Sequence, residues 1–283
     1  MGCRAGVAVA LFALVACGTG TREYELRGQV LGVDRDKAEV LVKGEEIPGW
    51  MSAMTMPYKV RDRSLIEHLT PGDLIDARLV VSGSDAYLAG IRRTGTAPLD
   101  APPPAPLTPA GVEILKPGET VPDQTFVDQD GHERPLSSLR GRLIALTFIY
   151  TRCPIPTFCP LMDRHFADIQ REVKTRPALS GRVQLLSVSF DPQYDTPQVL
   201  KRHARDLGAD PSVWNFVTAG RDDIDRFARR FGVAITRGTL PDGSDLTHTL
   251  STAVIDRDGK LVKVYAGNEW TPSQLLADLE SLQ

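Results

Sequence analysis

Residues 143–166 read LIALTFIYTRCPIPTFCPLMDRHF, and this stretch decides the fold of the chain. Residues 143–150 form a short apolar run rich in β-branched and aromatic residues, which predicts a buried strand. From Pro160 onward, apolar side chains recur at helical spacing, and proline suits an early helical position because its missing N–H costs nothing there. Two thiols, Cys153 and Cys159, therefore lie between a buried strand and a helix N-terminus, where the helix dipole favours the thiolate.

Length and charge restrict the class of protein. The chain has 283 residues, which is more than most single domains contain and long enough for two. Its formal net charge is −3, and its sequence contains no basic block. These features argue against a nucleic-acid partner bound by electrostatics.

Residues 1–17 predict an export signal. Arg4 gives a positive start, and the apolar stretch 5–16 is too short to span a bilayer. The segment resembles a bacterial lipoprotein signal, with cleavage before Cys17 and lipid attached to its sulfur. The alternative is an ordinary secretory signal with an incidental cysteine. Either interpretation puts the mature protein outside the cytoplasm, and the first predicts a lipid anchor in the bacterial periplasm or cell envelope.

After export, Cys153 and Cys159 are the cysteines left for chemistry, because Cys3 leaves with the signal and Cys17 carries lipid. A cysteine pair in an oxidising compartment often forms a structural disulfide. Across so short a loop, however, a disulfide gains little chain entropy, and a chain of this size does not need it. A redox or metal-binding role is favoured.

Residues 23–93 contain several short strand patterns separated by turns, which predict a small all-β barrel. Met51, Met54 and Met56 cluster beside Trp50. If residues 54–56 form a strand, the sulfurs of Met54 and Met56 point to the same side. Thioethers are soft donors that prefer Cu(I), and the tryptophan ring could cover the ion. The alternative is that these side chains fill a gap in the core.

Residues 94–117 predict a linker. Their first part, residues 94–109, reads TGTAPLDAPPPAPLTP, with proline and alanine dominant and no periodicity. This composition is typical of a semi-extended spacer, so we expect the two domains to move independently.

Residues 118–283 predict an α/β domain. The order is strand, helix, strand, helix, then a hairpin and a final helix. The strand patterns are continuous apolar runs, which is typical of buried parallel strands. With a cysteine pair at the first strand-to-helix junction, the pattern predicts a thioredoxin-like fold.

One histidine differs from the others in this domain. His132, His165 and His203 fall in a turn and on helices, where surface or helix-face roles are expected. His248 falls in a loop just before the hairpin strand, and in thioredoxin-like folds that loop approaches the cysteine loop. Two thiolates and one imidazole would make a three-coordinate soft site suited to copper. The alternative is a loop histidine with its hydrogen bonds satisfied locally.

The barrel region resembles the CusF-like periplasmic copper-binding domain over residues 23–93. Trp50, Met54 and Met56 match its tryptophan followed by Met-Thr-Met, and the resemblance implies that they bind copper. Two departures stand out. One extra residue separates the tryptophan from the first methionine, and Lys43-Gly44 occupies the place of the family's histidine ligand, which His68 does not supply. We therefore expect a weak or vestigial site.

The second domain resembles the Sco/SenC family of copper chaperones for cytochrome c oxidase over residues 118–282. The resemblance rests on FIYTRCP at 148–154, CPLM at 159–162, SVSFDPQYDTP at 187–197, and His248 before 251–259. It implies a thioredoxin-like fold in which Cys153, Cys159 and His248 bind copper. It also implies a role in building the binuclear CuA centre, by delivering copper, by reducing its cysteines, or both.

The cysteine spacing departs from the family pattern, because two more residues separate the thiols than in Cys-x-x-x-Cys. This changes the ligand geometry, although the longer loop still permits both sulfurs to converge. Asp191 and Asp195 match acidic positions near the site. They either tune it or serve as a turn residue and a helix-end residue.

Three functions follow as hypotheses. The first is a membrane-tethered copper chaperone whose client is the CuA-bearing oxidase subunit or another periplasmic copper protein, with thioethers catching the ion and thiolates taking it over. The second is an enzyme, a thiol–disulfide oxidoreductase using Cys153 and Cys159 without metal. The third is a copper-resistance or scavenging lipoprotein with no delivery partner.

Overall fold

A computed structural model describes residues 21–51, 53–82, 85–99, 113–237 and 246–283. The predicted signal with Cys17, and residues 100–112 of the predicted linker, lie outside the described residues. Within the described part, no helix has the length and hydrophobicity needed to cross a membrane.

The N-terminal region is a closed five-stranded barrel in which neighbouring strands follow the order β1-β2-β3-β5-β4. Its strands are β1 (Arg22–Asp34), β2 (Glu39–Gly44), β3 (Met54–Val60), β4 (Asp73–Ser82) and β5 (Asp85–Thr96). β3 pairs in parallel with β5, and the other pairs are antiparallel. Along β3, Met56, Tyr58 and Val60 are buried while the residues between them are exposed, which is the alternation of a strand with one face in a core. The predicted all-β barrel is confirmed.

The C-terminal region is built on a seven-stranded sheet with strand order β14-β13-β8-β9-β10-β6-β7. Its strands are β6 (Thr125–Asp128), β7 (Glu133–Pro135), β8 (Leu143–Ile149), β9 (Val183–Ser189), β10 (Trp214–Thr218), β13 (Ser251–Ile255) and β14 (Leu261–Ala266). β8, β9 and β10 are parallel neighbours, and every residue of β8 and β9 is buried. Helices α1 (Cys159–Thr175), α2 (Pro197–Asp206), α3 (Arg221–Arg229) and α4 (Pro272–Ser281) connect or follow these strands.

Two helices start as their sequence predicts. The side chains of Thr196 and Thr271 accept hydrogen bonds from the backbone N–H groups of Val199 and Gln274, and a proline follows each threonine. α1 begins one residue earlier than Pro160 suggests, at Cys159 itself. The second thiol is therefore part of the first helical turn.

The sequence patterns do not predict two short pairs of strands. β6 and β7 form a hairpin at the sheet edge, and β11 (Ile235–Arg237) pairs with β12 (Leu246–His248) as a separate ribbon. The prediction that His248 lies in a loop is therefore wrong, because it ends a strand, and two residues separate that strand from β13. Three-residue strands carry no periodicity, and their stabilising partner lies elsewhere in the chain.

Candidate metal centre

The cysteine loop joins the most buried strand to the first helix. β8 ends at Ile149, the loop spans residues 150–158, and α1 begins at Cys159. Cys153 and Cys159 are free thiols with 8% and 1% of their surfaces exposed. The slightly exposed Cys153 faces a large cavity, whereas Cys159 lines a smaller one on the other side. Of the two sulfurs, Cys153 is the more accessible to a partner.

The long loop between the thiols is held by side chains from both ends of the domain. Arg164 of α1 donates to the backbone carbonyl of Pro156 at 2.9 Å, and Asn268 donates to that of Thr157 at 2.8 Å. The backbone N–H of Phe158 closes a turn on Ile155 at 3.0 Å. These hydrogen bonds hold in place the loop that contains the two additional residues between the thiols.

His248 meets the thiols from a distant part of the chain. Its Nε2 lies 3.9 Å from the sulfur of Cys159, and its Nδ1 lies 3.1 Å from the carbonyl of Thr249. A carbonyl can only accept, so Nδ1 carries the hydrogen. In the neutral ring this leaves the Nε2 lone pair facing the sulfur, which is the tautomer a metal ligand needs.

Aromatic side chains surround the imidazole. The ring centroids of Phe190, Tyr150 and Phe158 lie 4.5, 5.7 and 6.4 Å from that of His248. Tyr150 and Phe190 are almost fully buried. The apolar surroundings limit access of water to the sulfurs and strengthen any charge interaction made there.

The spacing of Cys159 and His248 suits a metal ion. Thiolate and imidazole ligands bind ions such as zinc at about 2.3 and 2.0 Å, so a sulfur and a nitrogen on one ion lie at most about 4.3 Å apart. The 3.9 Å between Cys159 and His248 falls inside that limit. Among the described residues, no three His, Cys, Asp or Glu side chains already form a closed metal site.

The two thiols differ in how readily they ionise. Burial opposes ionisation of Cys153, yet the hydrogen bond from Cys159 and the nearby imidazole of His248 lower its pKa well below the ordinary value. Burial, together with the hydrogen bond and charge of the Cys153 sulfur, raises the pKa of Cys159 well above it. The pKa of Cys153 is therefore the lower of the two, and Cys153 is the first of the pair to ionise.

The acidic residues of the SFDPQYD stretch support the loop. Asp195 is fully buried and accepts hydrogen bonds from the backbone N–H of Thr151 at 3.0 Å and from the hydroxyls of Thr151 and Ser189 at 2.5 Å. Burial raises the pKa of its carboxyl. Asp191 forms an ion pair with Arg152 at 2.8 Å. Both carboxylates thus fix the position of the chain just before Cys153.

A buried pair that sequence reasoning missed lies beneath Cys159. Asp163 of α1 and His203 of α2 are joined by a 2.9 Å hydrogen bond, and both line the small cavity beside Cys159. His203 is expected on a helix face, and it is there, but the face points inward. The sequence signal that could have identified this pair is the carboxylate of Asp163, which lies one helical turn after Cys159.

The barrel methionines lie as the strand prediction requires, without a nitrogen donor opposite them. In the register of β2 and β3, Met54 faces Gly44 and Met56 faces Val42. Met56 is buried and Met54 is half-buried. Trp50 stacks on Tyr24 with centroids 4.2 Å apart and planes 13° from parallel, so one face of its ring is already covered.

The two sets of candidate ligands share one cavity. A cavity of about 720 Å³ is lined by residues 54–57 of β3 on the barrel side. On the other side it is lined by residues of the thioredoxin-like region, among them Tyr150, Cys153, Phe158 and His248. The thioether strand therefore faces the thiol and imidazole groups.

A thioredoxin-like sheet with paired thiols and a facing imidazole at the end of its central strand defines a class of metal-binding or redox protein. Family comparison gives the particular assignment. Residues 113–283 match the SCO1/SenC family model, and residues 23–93 match the model of the copper binding periplasmic protein CusF. The first match covers more than half of the chain, so the chain belongs to the SCO1/SenC family.

Individual relatives agree with this assignment. The chain is 35% identical over 160 residues to the SCO1 protein homolog of Bacillus subtilis, covering 56% of this chain and 79% of that protein. A SCO1/SenC family lipoprotein from Bacillus anthracis is 29% identical with a TM-score of 0.52, covering 60% of this chain and 98% of that one. Arabidopsis thaliana ScoI with copper bound, 20% identical with a TM-score of 0.50, covers 58% of this chain and 97% of that one and shares the fold.

These findings confirm the predicted family, the thioredoxin-like fold, the CusF-like N-terminal region and copper as the metal. The individual ligands, the lipid anchor and the domain bounds stay predictions.

Proposed function

We propose that this protein is a periplasmic copper chaperone that holds one copper ion through Cys153, Cys159 and His248. The observation that carries the proposal is the 3.9 Å contact between the Cys159 sulfur and the His248 Nε2. The ring is oriented for binding by the carbonyl of Thr249. Thiolate and imidazole form a donor set that suits copper, whereas magnesium and calcium prefer oxygen.

The client is the subunit of cytochrome c oxidase that carries CuA, or another periplasmic copper protein. This part rests on membership of the SCO1/SenC family and on the role that the family resemblance implies. We also propose that lipid on Cys17 tethers residues 23–93, the linker 94–117 and residues 118–283 to a membrane. Tethering restricts the search for a membrane-bound client to the membrane surface and raises the effective concentration of the chaperone there.

Copper stoichiometry of a soluble chain that begins at Gly18, and so omits the lipidated Cys17, tests the proposal. We expect one equivalent of copper to be retained through gel filtration by the wild type and lost in His248→Ala. His132→Ala is the matched control, because that side chain is largely exposed in the β6–β7 turn. Equal retention of copper by His248→Ala and His132→Ala would show that the imidazole of His248 is not a copper ligand.

A second function, thiol–disulfide exchange, is favoured by the unequal thiols. The Cys153 thiolate would attack a client disulfide, forming a mixed disulfide and releasing one client thiolate. Cys159, after giving up its proton, would then attack the Cys153 sulfur and release the second client thiol. The client gains two electrons and the chain is left with a Cys153–Cys159 disulfide.

His248→Ala separates the two functions. Reduction of a disulfide-bonded peptide by one equivalent of the reduced chain should survive this change if exchange is the main activity, because both sulfurs remain. If copper delivery is the activity, the variant loses transfer of copper to an apo-CuA peptide. A copper-resistance role without a client predicts retention of copper but no transfer to that peptide.

A further inference from the structure

The thioether pair of the barrel supplies only part of the ligand set of a copper site. Met54 and Met56 present two sulfurs on one face of β3, and the strand residues opposite them are Gly44 and Val42. Neither has a donor atom in its side chain, and β2 contains no histidine. Trp50 has one face covered by Tyr24. Opposite Met54 and Met56, β2 thus supplies no third ligand that would hold a cuprous ion firmly.

The missing donor type lies across the cavity. Residues 54–57 and His248 line the same cavity of about 720 Å³, and its lining is mostly apolar. His248 is half-buried and ends the short strand β12, so it has a surface toward the cavity as well as toward Cys159. Its Nδ1 is held by the Thr249 carbonyl, which leaves Nε2 for a metal.

We propose that Met54, Met56 and His248 together form a Cu(I) site across the two domains, and that this site passes the ion to Cys153 and Cys159. The inference rests on the proposed function and adds the route by which the ion arrives. The cavity is larger than one ion requires, so loading draws the barrel and the thioredoxin-like domain closer together.

The transfer is a ligand exchange without a redox step. Copper stays Cu(I), its bonds to the two thioethers break, and bonds to the Cys153 and Cys159 sulfurs form while His248 remains bound. The proton of the Cys159 thiol goes to water. Thiolate is the stronger donor for Cu(I), so the exchange runs from the barrel toward the cysteines.

A thiol-free background isolates the shared site. In the full exported chain beginning at Gly18 and carrying Cys153→Ser and Cys159→Ser, Cu(I) affinity is measured by competition with a chromophoric chelator. We expect His248→Ala to weaken binding by about tenfold or more, and Met54→Leu with Met56→Leu to do the same. Combining the changes should add little further loss, because the groups act on one ion.

Met51→Leu is the matched control. Met51 is a buried methionine paired with Ile47 and is absent from the described lining of the cavity. It should leave the affinity unchanged. X-ray absorption of the copper-loaded thiol-free chain gives a second measurement, with a nitrogen ligand that disappears in His248→Ala even if the affinity change is small.

Two outcomes would overturn the shared site. If His248→Ala leaves the thiol-free chain unaffected while the methionine changes weaken it, the barrel binds alone. If the methionine changes have no effect, or the thiol-free chain binds no Cu(I), the thioethers take no part. The proposed function is tested separately, since it depends on copper retention by the chain with both cysteines present.

Discussion

The two candidate copper sites differ in how much of the ligand set the fold provides. In the thioredoxin-like domain, Cys153 and Cys159 come from one loop and helix start, His248 comes from a distant segment, and packing brings His248 within 3.9 Å of Cys159. In the barrel, Met54 and Met56 come from a single strand, and the residues paired with them on β2, Gly44 and Val42, carry no donor atom. Strand alternation alone places two like donors on one face. A set of different donors requires a folded domain that brings distant residues together.

The largest expected effect comes from removing a thiol. Cys153→Ser and Cys159→Ser should each abolish retention of one equivalent of copper in the presence of a competing chelator, because a hydroxyl is a hard donor that does not replace thiolate and the thioethers hold the ion more weakly. The double methionine change Met54→Leu with Met56→Leu should leave retention at one equivalent intact. Gel filtration followed by metal analysis measures both, and thermal unfolding confirms that the serine variants fold. Retention of copper by either serine variant under these conditions would contradict this contrast between the two candidate copper sites.

The pH dependence of copper affinity should be nearly as large. The pKa of Cys153 is lowered and that of Cys159 is raised, so copper binding at neutral pH should expel a proton from Cys159. Affinity should therefore rise by about tenfold per pH unit between about pH 7 and 8.5. Below the lowered pKa of Cys153 the slope should steepen toward two protons. A flat profile at neutral pH would mean that both thiols are already ionised.

Adding a nitrogen donor to the barrel should make the two sites more alike. A Cβ at Gly44 would meet the Leu26 side chain at 3.1 Å, and the backbone there needs no positive φ. In the thiol-free background, Gly44→His should raise Cu(I) affinity by about tenfold, roughly 1.4 kcal/mol. It should also make binding independent of His248. Chelator competition measures both, and Gly44→Leu controls for the added bulk.

The smallest expected effect concerns the loop between the thiols. Asn268→Ala removes the donor to the Thr157 carbonyl and should weaken copper binding by about fivefold, in keeping with a hydrogen bond of about 1 kcal/mol. Asn215→Ala is the control, since Asn215 on β10 accepts a hydrogen bond from Gln184 away from the thiols. Equal effects of the two changes on copper affinity would show that Asn268 contributes only general stability.

Much of this arrangement could be predicted from the sequence, because the informative segments are periodic. The continuous apolar runs of β8 and β9 predict buried parallel strands, and the threonine–proline pairs predict the starts of α2 and α4. The order of these elements around a cysteine pair predicts the thioredoxin-like fold. In the barrel, alternation along β3 predicts that Met54 and Met56 share a face.

What the sequence could not predict depends on contacts between distant residues. The strand character of residues 246–248 depends on pairing with β11, and three residues are too few to carry a period. The Asp163–His203 pair depends on how α1 packs beside α2. The unequal pKa values of the thiols depend on burial and on the imidazole, neither of which follows from spacing.

X-ray absorption of the exported chain loaded with one equivalent of Cu(I) tests the central claim most directly. The account predicts two sulfur ligands and one nitrogen ligand, with the nitrogen lost in His248→Ala and kept in His132→Ala. An unchanged spectrum in His248→Ala, or a spectrum left unchanged by replacement of both Cys153 and Cys159 by serine, would contradict it.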